Sequence, residues 1–174
     1  LEIVVDSLMA TILFNPLFAA VCMAAIAVPR SPFGGVAFWR LGLVLAAQLG
    51  CAAVAYAIYR RYCRIRIEET ARAARLLLAS QALFSAVWGA TAFLYWAPGN
   101  PVNHVFVVMV LSLVAFSAVF ARSVHMPVLL VAVFVQNGIY LARLLSDGSR
   151  AEIIIAAMVP FYVLYLLAMR YASQ

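Results

Sequence analysis

The stretch RRYCRIRIEETARAAR, Arg60–Arg75, joins two long apolar segments and holds half of the arginines of the chain. Cationic connections between membrane spans are retained in the cytoplasm, so this stretch sets the orientation of the segments on either side. It contains no Gly or Pro, and Glu68 stands at i,i+4 from both Arg64 and Arg72, a spacing that supports a helix. We therefore predict that two membrane helices continue beyond the bilayer into a short charged hairpin. The arginines of this basic hairpin are Arg60, Arg61, Arg64, Arg66, Arg72 and Arg75.

The composition of the chain places it in a membrane. Of its 174 residues, 68% are hydrophobic and 10% are charged, which is far from the composition of soluble globular domains. This length can supply about six spans of roughly 20 residues each. The net charge of +6 comes from arginine alone, and in a membrane protein such charge faces anionic lipid head groups, so we expect the lipid bilayer and not nucleic acid as a partner.

We predict one all-α domain over residues 1–174, an integral membrane bundle of six transmembrane helices. Turn-forming residues separate the apolar segments, most clearly PRSPFGG at Pro29–Gly35 and PGNPVN after Trp96. The side that holds the basic hairpin carries eight arginines and the other side at most four, which predicts that both termini are cytoplasmic. The predicted spans are about 7–28, 36–59, 76–97, 104–121, 127–145 and 153–172.

Several kinds of chemistry lack the residues they need. All six acidic residues lie at the start of the chain or in connections, which argues against a pump or an ion-coupled transporter. His104 and His125 lie at opposite ends of the fourth span, about 30 Å apart at 1.5 Å per residue, so they cannot share one metal or haem. The spans contain no GxSxG, HExxH or paired aspartates. We expect no catalysis within these residues, no metal and no cofactor.

Polar side chains inside the spans are the remaining candidates for function. Gln81, Ser85 and Trp88 share one face of the third span, as do Gln136, Tyr140 and Arg143 on the fifth. Such groups usually hydrogen-bond between helices. Alternatively, they line a cavity that opens toward the outer leaflet and binds a small amphipathic ligand, with a polar head group near the outer end. The candidate ligand-binding residues are Gln81, Trp88, Asn103, His104, Gln136, Asn137, Tyr140 and Arg143.

Four short stretches give the chain a resemblance to a known class of proteins. They are Arg60-Arg61-Tyr62, Ala86-Val87-Trp88-Gly89, Pro98–His104, and Ala121-Arg122-Ser123 after a fourth span rich in small residues. With them, the chain resembles the six-span sensor modules of bacterial signalling proteins, which precede histidine-kinase or GGDEF (diguanylate cyclase) domains. The resemblance implies a homodimer in the bacterial inner membrane, whose sixth helix continues into a cytoplasmic output domain after residue 174.

The expected function is therefore that of a membrane sensor or anchor domain, with a sensor histidine kinase as the first choice for the whole protein. A diguanylate cyclase is the nearest variant. A free-standing small transporter or membrane assembly partner, needing no output domain, is the alternative from another class. The spans could also anchor and dimerise an enzyme without sensing anything.

Overall fold

The computed structural model describes residues 2–62, 70–122, 126–147 and 150–172. The described part folds into six α-helices and contains no strand, which confirms the predicted all-α architecture. The helices are α1 (Glu2–Ala27), α2 (Phe38–Tyr62), α3 (Thr70–Leu94), α4 (Pro101–Arg122), α5 (Met126–Asp147) and α6 (Arg150–Ala172). Pro16 and Pro160 lie inside α1 and α6, and both helices continue through them.

Four of the helices are long and apolar enough to cross a membrane. Their apolar stretches are Phe38–Arg61, Ala74–Leu94, Pro101–Val119 and Met126–Ser146. In α1 and α6 the described residues give shorter apolar stretches, Ile12–Ala27 and Glu152–Ala168. Within the described residues, four of the six predicted spans are helices long and apolar enough to cross a membrane. The other two, α1 and α6, are helices of 26 and 23 residues with shorter apolar stretches.

The connections after α1 and α3, and the start of α6, lie at one end of the bundle, which we call the cap end. The α1–α2 turn contains Arg30 and Gly35 with positive φ of 63° and 100°. The α3–α4 turn contains Gly99 with φ of 76°. Glycine adopts this left-handed backbone without steric cost, which explains the glycines in both turns. Hydrogen bonds from Asn100 to Pro32 O and Gly34 O hold the two turns together.

The helices α3 and α5 approach each other closely along a shared seam. A Cβ added at Gly89 of α3 would lie 2.8 Å from Ile139 Cβ and 3.0 Å from Gln136 O of α5. Small residues allow such backbone proximity in membrane bundles, where dispersion replaces the hydrophobic effect as the packing force. The main apolar core is continuous with this seam and includes Trp88 and Trp96, each at most 2% exposed.

The outer surface of the bundle carries many large apolar side chains. Phe38, Trp39, Leu17, Met158 and Phe161 are each more than 60% exposed. Such a surface would be costly in water and is suited to hydrocarbon. The outside of the bundle is therefore consistent with the membrane environment that the composition indicates.

The basic hairpin is described only in part. Arg60 and Arg61 occupy the last turn of α2 and are exposed, as is Arg75 in α3. Arg72 belongs to α3. Arg64 and Arg66, with the rest of residues 63–69, lie outside the described residues.

Candidate functional site

Asn103 is the centre of a hydrogen-bonded polar cluster at the cap end, and it is fully buried. The Ala97 N–H donates to Asn103 Oδ1 at 2.8 Å, and Asn103 Nδ2 donates to Phe33 O at 2.8 Å. One amide thus satisfies backbone groups from two different turns, which would otherwise be buried without partners. Asn103 therefore acts as a structural link at the end of the bundle.

Asn100 extends the same cluster and caps the start of α4. The Asn103 N–H donates to Asn100 Oδ1 at 3.1 Å, so Asn100 supplies a side-chain acceptor to a free N–H in the first turn of the helix. Pro101 is the first residue of α4, a position where its missing N–H costs nothing. The sequence PGNPVN thus forms a turn that is followed by the capped start of α4.

A stack of charged and aromatic groups lies beside the asparagines. The rings of Trp96 and His104 are stacked with centroids 3.9 Å apart, and Arg143 Cζ lies 4.7 Å from the Trp96 ring. His104 Nε2 is 2.9 Å from Ala97 O, and His104 Nδ1 is 3.6 Å from Glu152 Oε1 at the start of α6. A carbonyl oxygen only accepts, so Nε2 carries a hydrogen. We call this stack and the two asparagines the polar cap.

The candidate residues lie at three levels of the bundle. Asn103, His104 and Arg143 come together in the polar cap, where Arg143 and His104 both pack against Trp96. Gln81 Nε2 donates to Ser85 Oγ at 2.9 Å within α3. These contacts bring three of the eight candidate residues together and leave Gln81 bonded within its own helix.

The polar residues of α5 divide between two roles. Gln136 Nε2 donates to Leu111 O at 2.7 Å, a bond between α5 and α4. Asn137 Nδ2 donates to Val133 O at 2.8 Å within its own helix. Gln136 therefore links two helices, while Asn137 and Tyr140 line a cleft.

This cleft lies between α4, α5 and α6 and has a volume of about 230 Å³. Tyr162 of α6 donates from its hydroxyl to Ser112 O of α4 at 2.8 Å and separates the cleft from a wider apolar groove of about 620 Å³. The groove runs between α1, α4 and α6, and Val108, Ser112 and Tyr162 border both spaces. The residues that line the cleft are Val108, Leu111, Ser112, Asn137, Tyr140, Ile155, Met158, Val159 and Tyr162.

Some buried polar atoms have no hydrogen-bond partner among the described residues. Both amide atoms of Gln48, the indole N–H of Trp88 and the hydroxyl of Tyr140 belong to this group. Most buried polar groups in proteins are paired, so each exception needs an explanation. Of these three residues, Tyr140 is the one whose side chain lines the cleft.

Residues absent from the predicted ligand set complete the geometry. Ser112 and Tyr162 join α4 to α6, and Glu152 pairs with His104. The sequence assigns Glu152 to the last connection, but the residue lies in the first turn of α6 and is only 4% exposed. The signal that could have identified Tyr162 is weak, since a tyrosine in an apolar span commonly lies at the lipid interface.

Comparison with known proteins adds no relatives. No protein-family model matches the chain, and no curated protein or solved structure shows significant similarity to it.

Proposed function

We propose that these residues form the membrane input domain of a bacterial signal-transduction protein, with a sensor histidine kinase as the whole protein. In this proposal all six helices cross the inner membrane, both termini and the basic hairpin are cytoplasmic, and the domain works as a homodimer. The resemblance of the sequence to six-span sensor modules supports it. The described lengths of α1 and α6, about 39 and 35 Å at 1.5 Å per residue, are sufficient for a hydrocarbon core of about 30 Å.

The observation that carries the proposal is the attachment of α6. The cleft and the groove separate much of α6 from α4, and polar contacts bridge the gap at two levels. These contacts are His104–Glu152 at the cap end and Tyr162–Ser112 farther along the helix. Since α6 also packs against α5, the proposed movement is a shift of α6 relative to α4 while the α3–α5 seam remains packed.

The mechanism would be a shift between two positions of α6. A signal moves this equilibrium only by binding the two arrangements with different affinity. The movement would reach an output domain through the end of α6, as in the proteins that the chain resembles. A diguanylate cyclase output would use the same coupling.

A fusion experiment tests the coupling. The chain is joined through Gln174 to a dimeric histidine-kinase core and reconstituted in liposomes, beside the same core on an unrelated dimeric membrane anchor. Tyr162→Phe removes the bond to Ser112 O and should change the autokinase activity at least twofold, whereas Tyr165→Phe, on the exposed side of α6, should not. Equal activity of the wild-type, Tyr162→Phe and anchor fusions would refute a sensory role.

The topology is tested separately by cysteine accessibility in spheroplasts. In a background without native cysteines, Pro98→Cys and Ser146→Cys should react with a membrane-impermeant maleimide from the outside. Arg75→Cys and Tyr171→Cys should react only after permeabilisation, because they lie toward the opposite end. Reaction of both Ser146→Cys and Tyr171→Cys in intact spheroplasts would contradict α6 as a span, whereas reaction of Tyr171→Cys alone would contradict the cytoplasmic position of its C-terminal end.

A further inference from the structure

We propose that the cleft between α4, α5 and α6 binds the head group of a single-chain lipid that is uncharged and forms hydrogen bonds, such as a monoacylglycerol. The acyl chain would lie in the adjoining apolar groove. This binding site does not depend on the signalling role, since it requires only the packed bundle and access from the bilayer.

The polar end of the site is formed by Tyr140 and Asn137, whose side chains line the cleft. The Tyr140 side chain is 4% exposed, and its hydroxyl has no hydrogen-bond partner within the described part of the chain. A buried tyrosine usually finds a partner for its hydroxyl, and one without a partner is destabilising. Asn137 lines the same cleft and uses Nδ2 for a bond within α5, so its carbonyl oxygen can accept from a ligand. A ligand with hydroxyl groups would satisfy both residues.

The apolar end of the site is the groove between α1, α4 and α6. Its volume of about 620 Å³ falls within the range of roughly 300–1,000 Å³ found for small-molecule sites. Its wall is formed by Phe18, Val21 and Leu113, among others, with aromatic rings at Phe106 and Phe116. Because the groove and the cleft share Tyr162 and Ser112, an acyl chain in the groove would bring its head group next to the cleft.

The charge around the site selects an uncharged head group. No residue that lines the cleft or the groove carries a charged side chain. An anionic head group would have to leave water for an apolar cleft that offers it no cationic side chain. A cationic head group would have to leave water for an apolar cleft, where Glu152 is already engaged by His104. Uncharged hydroxyls avoid both costs.

The test measures binding of radiolabelled 1-monoolein to the purified chain in phosphatidylcholine nanodiscs, with empty nanodiscs subtracted. Saturable binding with one site per chain is expected. Oleate, with the same acyl chain and an anionic head, should compete at least tenfold more weakly, and 1-octadecene, with no head group, should not compete. Non-saturable uptake would mean ordinary annular lipid, and equal competition by oleate would exclude selection of an uncharged head. Either result overturns the proposal.

Two matched variants locate the site. Tyr140→Phe removes only the unpartnered hydroxyl, so it should weaken monoolein binding about five- to tenfold, the value of one hydrogen bond. Its thermal midpoint without monoolein should be unchanged or higher, because no bond within the protein is lost. Tyr165→Phe, at an exposed tyrosine of α6, should bind as the wild type does. Wild-type affinity of Tyr140→Phe would overturn the proposal, as would loss of monoolein binding on dimerisation, which would identify a second copy as the occupant.

Discussion

The two sides of the bundle differ in how closely their helices pack. On the closed side, made of the α3–α5 seam and the asparagines of the polar cap, backbones approach closely and Asn103 pairs with backbone groups of two turns. On the side of the cleft, helices are separated, and Tyr140 retains a buried hydroxyl without a partner among the described residues. The difference therefore lies in packing, because unpartnered buried polar atoms occur on both sides, at Trp96 Nε1 in the polar cap and at the Tyr140 hydroxyl beside the cleft.

The largest effect is expected at the centre of the polar cap. Asn103→Leu leaves the buried Ala97 N–H without its acceptor and Phe33 O without its donor, which should lower the free energy of unfolding by about 2–4 kcal/mol. The measurement is equilibrium unfolding in mixed micelles. Asn137→Leu is the matched control, because the Asn137 amide donates to Val133 O within its own helix, and it should cost less than about 1 kcal/mol. Equal losses in the two variants would remove the distinction between the sides.

A smaller effect is expected at the seam. Gly89→Ala places a Cβ 2.8 Å from Ile139 Cβ, which requires α3 and α5 to separate and should cost about 1–3 kcal/mol. Gly138→Ala has nothing within 4 Å of the added Cβ, so the better helix propensity of alanine should leave the stability unchanged or raise it by up to about 1 kcal/mol. Thermal unfolding of both variants checks the pair. A Gly89→Ala variant as stable as wild type would show that the seam yields easily.

The smallest effect is expected across the cleft. Tyr162→Phe removes the hydroxyl that donates to Ser112 O and should lower the free energy of unfolding by about 0.5–1.5 kcal/mol. Hydrogen exchange of α6 should rise while that of α3 stays the same, because α6 loses an attachment that α3 does not share. A uniform rise across all helices would indicate that the whole bundle unfolds as one unit and that α6 has no independent freedom.

The helices were predictable because each consists of an apolar run between turn-forming residues. The helix most shifted from its predicted span is α3, which ends at Leu94 although the span was drawn to Ala97. Pro98 disfavours helical geometry at Ala97, and Asn103 takes the Ala97 N–H in place of a helical carbonyl. The effect of Pro98 is local and can be predicted from the sequence. The hydrogen bond from the Ala97 N–H depends on a side chain six residues away, which the sequence does not identify.

The candidate site was predictable only as separate helix faces. Spacing places Gln136 and Tyr140 on one face of α5, but it does not tell which backbone carbonyl of another helix Gln136 will reach. Every residue has a backbone carbonyl, so the sequence does not indicate that Leu111 O and Ser112 O act as acceptors. The division between the polar cap and the cleft depends on these acceptors and therefore emerged only from the fold.

The asparagine links of the polar cap also impose an order on biogenesis. Carbonyls of the α1–α2 turn accept hydrogen bonds from Asn100 and Asn103, which lie 66 to 70 residues later in the chain. At synthesis rates of roughly 5–20 residues per second, the first helical hairpin must wait several seconds for these partners. During that interval the turn depends on water for its hydrogen bonds. The first helical hairpin would therefore be fixed in the bundle only after the start of α4 has been synthesised and its asparagines have bonded to the turn.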